Sequence, residues 1–301
     1  MHPCLENLAR LLGFWCAVCL LATTAQGGTD TPASANKPST AQAEVTLLKP
    51  PLEMPGLQRT RQIRLYLPPG YATTTRRYPV LYMHDGQNLF DDATAYAGEW
   101  RVDETLNALA RAGKLELIVV GIDNGQEKRL TELNPWRNMR GEVPEGKEYL
   151  AFVVGVVKPL IDSHYRTKPD RDNTAIMGSS MGGLMSHYAL VQYPNVFSKA
   201  GIFSPSYWTA PESYDYFATH NPAVDARLFF LAGEEERGAM VSDVKRVFGG
   251  YERSRPSLTV GHPSATLRLV PRAKHNEKFW GAEFERAVLW LFATPDTAVT
   301  K

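Results

Sequence analysis

An α/β fold, built on a mostly parallel central sheet with helices on both faces, is what this sequence predicts on three grounds. Runs with strand character alternate with runs of helical spacing from residue 43 onward, the pattern that builds βαβ units rather than an all-α or all-β domain. The strand-like runs 79–83, 115–121 and 174–177 are dominated by apolar residues, as strands covered on both faces must be. Between the last of these and a helical run stands Gly178-Ser179-Ser180-Met181-Gly182. In that context G-x-S-x-G turns a strand sharply into a helix and pushes one serine out of the sheet.

The elements follow in order. Residues 43–48 and 62–67 open as strands, the second alternating Ile63, Leu65 and Leu67. A short strand at 79–83, a helix at 102–112 and a buried strand at 115–121 come next. Residues 122–146 form a long polar loop with aromatic residues in it, and 147–165 an amphipathic helix whose Phe152, Val153, Val156, Val157, Leu160 and Ile161 fall at helical spacing. After the strand at 174–177, residues 183–192 are helical, with Leu184, Tyr188 and Val191 on the apolar side. Strands at 200–203, 227–232 and 265–270 alternate with helices at 239–248 and 277–292, and 205–226 is a second long loop. No internal repeat is present.

The amino terminus has the architecture of an export signal. Arg10 precedes an apolar stretch at 11–23, and Thr23 and Ala25 supply small residues before Gln26. The expected organisation is a signal peptide at 1–25, a flexible linker rich in Thr, Ala, Ser, Gly and Pro at 26–42, one domain at 43–296 and a tail at 297–301. Such a chain is exported, periplasmic or secreted, with no stable membrane insertion if the leader is cleaved; an uncleaved leader would serve as an anchor. Cys4, Cys16 and Cys19, the chain's 3 cysteines, all lie in the leader. Disulfides, thiolate metal sites and a cysteine nucleophile are thereby excluded from the mature domain. With 44% hydrophobic residues and a formal charge of +1, the chain can build a substantial core and offers no basic run for nucleic acid. No metal-ligand spacing and no phosphate-cradling loop is evident, so neither a cofactor nor a metal is expected.

A serine hydroxyl needs a base to take its proton and an acid to orient that base. With a nucleophile elbow these partners follow along the chain as Asp or Glu and then His. Of the histidines beyond the elbow, His220 sits in a polar loop and His262 precedes the last strand. His275 follows that strand, at the carboxyl end of the sheet where α/β sites assemble, and is the expected base. The acid should follow the preceding strand, where Glu234, Glu235 and Glu236 stand side by side; chemistry alone leaves all three open. The oxyanion hole takes one amide from Met181, directly after Ser180, and a second from the loop after strand 79–83, where Gly86 permits a turn that aims the amide of Gln87. His84 and Asp85 precede the elbow, break the chain order and read as loop-shaping residues.

With these residues in hand, residues 63–292 resemble the esterase family of α/β-hydrolases that includes enterochelin-type siderophore esterases, feruloyl and acetylxylan esterases, S-formylglutathione hydrolase and mycobacterial mycolyltransferases. The resemblance is carried by Met83-His84-Asp85-Gly86-Gln87-Asn88-Leu89-Phe90-Asp91, by Val120-Gly121-Ile122-Asp123-Asn124-Gly125, by Pro159-Leu160-Ile161-Asp162 with Tyr165-Arg166-Thr167, by Gly178-Ser179-Ser180-Met181-Gly182-Gly183, by Phe203-Ser204-Pro205-Ser206-Tyr207-Trp208, and by His275-Asn276-Glu277 with Trp280. It implies an α/β-hydrolase fold without a separate cap domain and a Ser180–His275–Glu236 triad, the family's acid position falling on Glu236. It also matches Gln87 and Met181 to the family's oxyanion donors. The implied activity is hydrolysis of a small-molecule carboxylic ester through an acyl-enzyme; the same triad also serves acyltransferases, and a non-catalytic binding module on this fold would have no need of it. Trp136, Trp208 and Trp280 are the candidates for substrate contact. The aromatic residues of the two long loops either face an aromatic, sugar or siderophore-type ester or pack on the sheet edge. Oligomeric state has no signal in the sequence.

Overall fold

The computed structural model describes residues 37–254 and 264–292. The expected signal peptide, most of the expected linker, His262 and the tail lie outside the described residues. Ten strands are described, β1 (Val45–Leu47), β2 (Leu52–Met54), β3 (Arg59–Arg61), β4 (Ile63–Tyr66), β5 (Val80–His84), β6 (Ile118–Ile122), β7 (Thr174–Ser179), β8 (Lys199–Phe203), β9 (Arg227–Gly233) and β10 (Ala265–Val270). Eight of them form one sheet in the order β1-β4-β6-β5-β7-β8-β9-β10. β1 and β4 pair antiparallel at one edge, and from β6 to β10 every pairing is parallel. The predicted architecture is therefore the one observed. β2 and β3 make a separate antiparallel hairpin that the sequence pattern did not reveal, because strands this short carry no period.

Helices cover both faces, and the alternation of side chains shows why. Along β5, Val80 and Tyr82 enter one core while Leu81 and Met83 enter the other; along β9, Leu228 and Phe230 oppose Phe229 and Leu231. A strand with two buried faces must be apolar at successive positions, which is what the sequence shows. The helices are α1 (Val102–Arg111), α2 (Arg129–Glu132), α3 (Gly146–Phe152), α4 (Lys158–His164), α5 (Met181–Gln192), α6 (Glu212–Thr219), α7 (Met240–Ser254) and α8 (Glu277–Phe292). The single helix expected at 147–165 is interrupted: α3 passes through a π-helical segment, Val153–Val157, into α4. Pro159 accounts for this. It has no N–H to give to the carbonyl of Gly155 and its ring crowds that turn, so the helix widens before it.

Two loops expected to be irregular carry short helices, α2 in the first and α6 in the second. The end of the expected linker is also ordered by contacts. Ser39 Oγ donates to Asp91 Oδ2 at 2.8 Å, and the Gln42 amide to Asp103 Oδ2 at 2.8 Å. No helix among the described residues is long and apolar enough to cross a membrane.

Candidate active site

β7 delivers the serine. Its six residues are all buried, and Ser180 stands between the end of β7 and the start of α5 at φ 58°, ψ −118°. A residue with a Cβ adopts that region only when its surroundings hold it there. Here they do. The Ser180 amide donates to the Phe203 carbonyl at 2.9 Å, and the Ser180 carbonyl accepts from the amides of Ser206 (3.0 Å) and Leu184 (3.1 Å). The two glycines of the pentapeptide are required by close approach. A Cβ at Gly178 would lie 2.9 Å from His84 Cδ2, and one at Gly182 would lie 3.1 Å from His84 Cβ. The elbow therefore packs directly on the end of β5. Ser180 Oγ hydrogen-bonds Ser206 Oγ at 3.0 Å.

β9 and β10 bring the acid and the histidine together. Gly233 and Val270 are paired at the ends of these parallel strands, and the two loops that follow meet beyond them. His275 Nδ1 lies 2.8 Å from Glu236 Oε2. With the carboxylate accepting at Nδ1, Nε2 of a neutral imidazole is left as the acceptor. The other oxygen of the carboxylate, Oε1, accepts from the Gly233 amide at 2.7 Å and from Ser204 Oγ at 2.6 Å. The Glu236 side chain is 1% exposed and that of His275 36%, so the acid is enclosed while the imidazole faces open space. Glu235 points away toward Lys274 at 4.0 Å.

Ser180 and His275 line one cavity of about 890 Å³, together with Ser206, Trp208, Met240 and Lys274. The expected oxyanion donors border the elbow. Met181 opens α5, so its amide has no carbonyl partner within the helix. Gln87 lies in a 3₁₀ turn, Gly86–Asn88, whose own bonding starts with the Asn88 amide on the Asp85 carbonyl at 2.9 Å. The Gln87 side chain fixes this turn to the next loop by accepting from the Asn124 amide at 3.0 Å.

That turn is braced by an ion pair. Asp85, left-handed at φ 58°, receives Arg129 Nε at 2.6 Å, Arg129 Nη2 at 2.8 Å and Asn124 Nδ2 at 2.6 Å. Burial works to raise the Asp85 carboxyl, but Arg129 and Asn124 outweigh it and hold it below the usual aspartate value. Burial also pushes His84 down to about 4, and its Nδ1 hydrogen-bonds the Tyr149 hydroxyl at 2.7 Å. His84 is thus a neutral, enclosed residue beneath the loop.

Residues 55–291 match the family model described as "Putative esterase". The chain belongs to this esterase family. Among curated relatives, the esterase is 27% identical over 241 residues to the uncharacterized protein YbbA of Bacillus subtilis, covering 77% of this chain and 92% of that one. It is 26% identical over 188 residues to the endo-1,4-beta-xylanase/feruloyl esterase of Xylanibacter ruminicola, covering 61% of this chain and 24% of that enzyme. Among solved structures, the ferric enterobactin esterase of Salmonella typhimurium superposes with a TM-score of 0.65 at 18% identity, covering 85% of this chain and 60% of that one. The esterase thus spans 24% of the xylanase/feruloyl esterase and 60% of the enterobactin esterase.

Two of the three tryptophans are not among the residues that line this cavity. Trp280 is 4% exposed. Its Nε1 donates to Ser204 Oγ at 2.9 Å, and its ring meets the His275 imidazole edge-on, with centroids 4.8 Å apart. It supports the acid and the histidine from within the core. Trp136 packs edge-on against Tyr188, Tyr216 and Phe217 and is absent from the cavity lining. Trp208, 51% exposed, does line the cavity. Ser204, Ser206 and Arg129 are the polar residues of the site that sequence reasoning missed. The first two fall inside Phe203-Ser204-Pro205-Ser206-Tyr207-Trp208, where only their position after a strand end, beside the elbow strand, could have marked them.

Proposed function

We propose that this esterase is an exported serine carboxylic-ester hydrolase that works through an acyl-enzyme. The reading rests on one observation: Ser180 and His275 line the same cavity, and the far nitrogen of His275 is bonded to the enclosed carboxylate of Glu236. Ser180 Oγ attacks the ester carbonyl and its proton passes to His275 Nε2. The oxyanion is held by the amides of Gln87 and Met181, donors fixed before the substrate arrives. Collapse breaks the ester C–O bond, and His275 gives its proton to the departing alkoxide. Water then gives a proton to His275 and attacks the acyl carbonyl, releasing the acid and restoring the Ser180 hydroxyl. Glu236 keeps the imidazole in the productive tautomer and stabilises it while it is charged. Ser206, bonded to Ser180 Oγ, holds that hydroxyl toward the cavity.

The cavity lining favours an ester with a flat apolar acid or a carbohydrate part. Trp208 and Met240 give an apolar wall, with Arg237, Lys274 and Glu235 beside it. Feruloyl esters, named for one of the relatives, carry such a flat acid. Export is supported by the leader-like residues 1–25. Ser180→Ala is the decisive test: it should abolish turnover of a p-nitrophenyl acyl ester and labelling by a fluorophosphonate, with Tm undiminished. Retained turnover or labelling in that variant would overturn the mechanism.

A further inference from the structure

Segment 59–64 reads Arg59-Thr60-Arg61-Gln62-Ile63-Arg64, and each of its arginines meets a carboxylate of the long loop after β6. Arg64 Nε and Nη2 donate to Asp123 Oδ1 and Oδ2 at 2.7 and 3.1 Å. Arg61 Nη2 donates to both oxygens of Glu132 at 2.6 and 2.8 Å. Arg59 Nη1 donates to Glu132 Oε1 at 2.7 Å, and its Nη2 to Glu145 Oε1 at 2.6 Å. Glu132 is 0% exposed and Arg61 5%. A buried ion pair adds little stability over well-packed apolar side chains of similar volume, so stability alone does not explain why charge stands at these two positions.

Glu132 ties down two branches of that loop, and both touch the Gln87 turn. On one branch, α2 carries Glu132 at its end and Arg129 at its start, and Arg129 forks Asp85 at 2.6 and 2.8 Å. On the other, the Glu132 carboxylate lies against Gly125, where a Cβ would come within 2.4 Å of Oε2. The preceding residue, Asn124, donates its amide to Gln87 Oε1 at 3.0 Å and its Nδ2 to Asp85 Oδ1 at 2.6 Å. The turn also rests directly on this loop, since a Cβ at Gly86 would lie 2.7 Å from Asp123 Oδ1.

We infer that Arg61 and Glu132 are positioning residues for the oxyanion hole, which rests on the roles proposed above for Ser180 and Gln87. β3 is the anchor, the loop after β6 is the spacer, and the Gln87 amide is the part whose place they set. Neither side chain touches the reacting atoms; their effect is on distance. An oxyanion donor acts on charge that develops in the transition state, and a displacement on the order of 1 Å can cost about a hundredfold in rate. Charge-assisted hydrogen bonds hold the loop at one separation from β3, which non-directional apolar contact would not. The separate β2–β3 hairpin thereby acquires a task at the active site, although it lies outside the main sheet.

R61M/E132M in the full chain tests this, because it removes both charges together and leaves Arg59 its bond to Glu145. Active sites are counted by fluorophosphonate labelling carried to completion, and turnover of a p-nitrophenyl acyl ester is expressed per labelled site. The melting temperature should stay within about 3 °C of the unsubstituted protein. kcat per site should fall about ten- to hundredfold with KM within about twofold. Affinity for a boronic acid, whose adduct with Ser180 places an oxygen in the oxyanion hole, should fall in step with kcat/KM. Arg61→Lys keeps the charge and should recover part of the loss; if the double variant fails to fold, it reads the same effect at smaller size. Unchanged kcat per site and boronic-acid affinity in the folded variants, whatever their melting temperature, overturn the inference. Failure of the unsubstituted protein to label and to turn over the ester overturns the reading of Ser180 itself, and this inference with it.

Discussion

Ser204→Ala removes one oxygen from the site and disturbs two side chains. Ser204 Oγ donates to Glu236 Oε1 at 2.6 Å and accepts from Trp280 Nε1 at 2.9 Å. The first bond goes to a charged group, worth about 1.5–3 kcal/mol, and the second loss leaves a buried indole N–H without a partner, costing about 1–3 kcal/mol. A total near 3 kcal/mol lowers Tm by roughly 6–12 °C for a domain of this size. Glu236 keeps the Gly233 amide at 2.7 Å, so the carboxylate stays in place but can rotate about its remaining bonds. Looser orientation of His275 affects the proton transfers rather than substrate binding. We expect kcat to fall about tenfold, equivalent to ~1.4 kcal/mol of barrier, with KM nearly unchanged. Steady-state kinetics on a p-nitrophenyl ester, with thermal melts on the same preparations, separate the two effects. A lowered Tm with kcat intact would refute the reasoning, since Ser204 would then support the fold alone.

Arg129→Met should destabilise the esterase by about 3–5 kcal/mol, because it leaves Asp85 buried without its cation. It should also lower kcat by loosening the Gln87 turn, and Arg129→Lys, which keeps the charge but not the fork, should fall between; equal activity in all three proteins would dissociate the pair from the oxyanion hole. His84 makes acid stability measurable. Its imidazole is depressed from 6.5 to about 4 by burial, so the folded state binds fewer protons than the unfolded state between those values. Its contribution is full above pH 6.5 and is lost as pH falls through 4, a change of roughly 3 kcal/mol. His84→Gln should flatten that part of the Tm–pH curve, and a curve parallel to that of the unsubstituted protein would refute the assignment.

The sheet was legible because its strands are buried on both faces and carry their apolar runs with them. The places of Ser180, of an acid among Glu234, Glu235 and Glu236, and of His275 were legible for a related reason: each follows a strand whose place in a parallel sheet is fixed by alternation with helices, and only the family resemblance pointed to Glu236. What the sequence did not yield is direction. Trp280 lies five residues after His275 in the chain, and nearness of that kind is the same whether the indole faces a ligand or, as here, Ser204 Oγ and the edge of the His275 ring. The strap at 37–42 has the composition of a linker; its order comes from Asp91 and Asp103, far along the chain. Ser204, Ser206 and Arg129 are ordinary polar residues locally and acquire meaning only once neighbouring loops are in place.

The backbone of Ser180 also bears on how such a protein changes under selection. Holding a side chain at φ 58°, ψ −118° costs about 1–3 kcal/mol that glycine at the same position would largely avoid. The proposed nucleophile is thus seated at a position where its loss can improve the melting temperature. A directed-evolution campaign that screens this chain for heat resistance alone would be drawn toward inert variants, and each round needs a turnover assay to keep the serine in place.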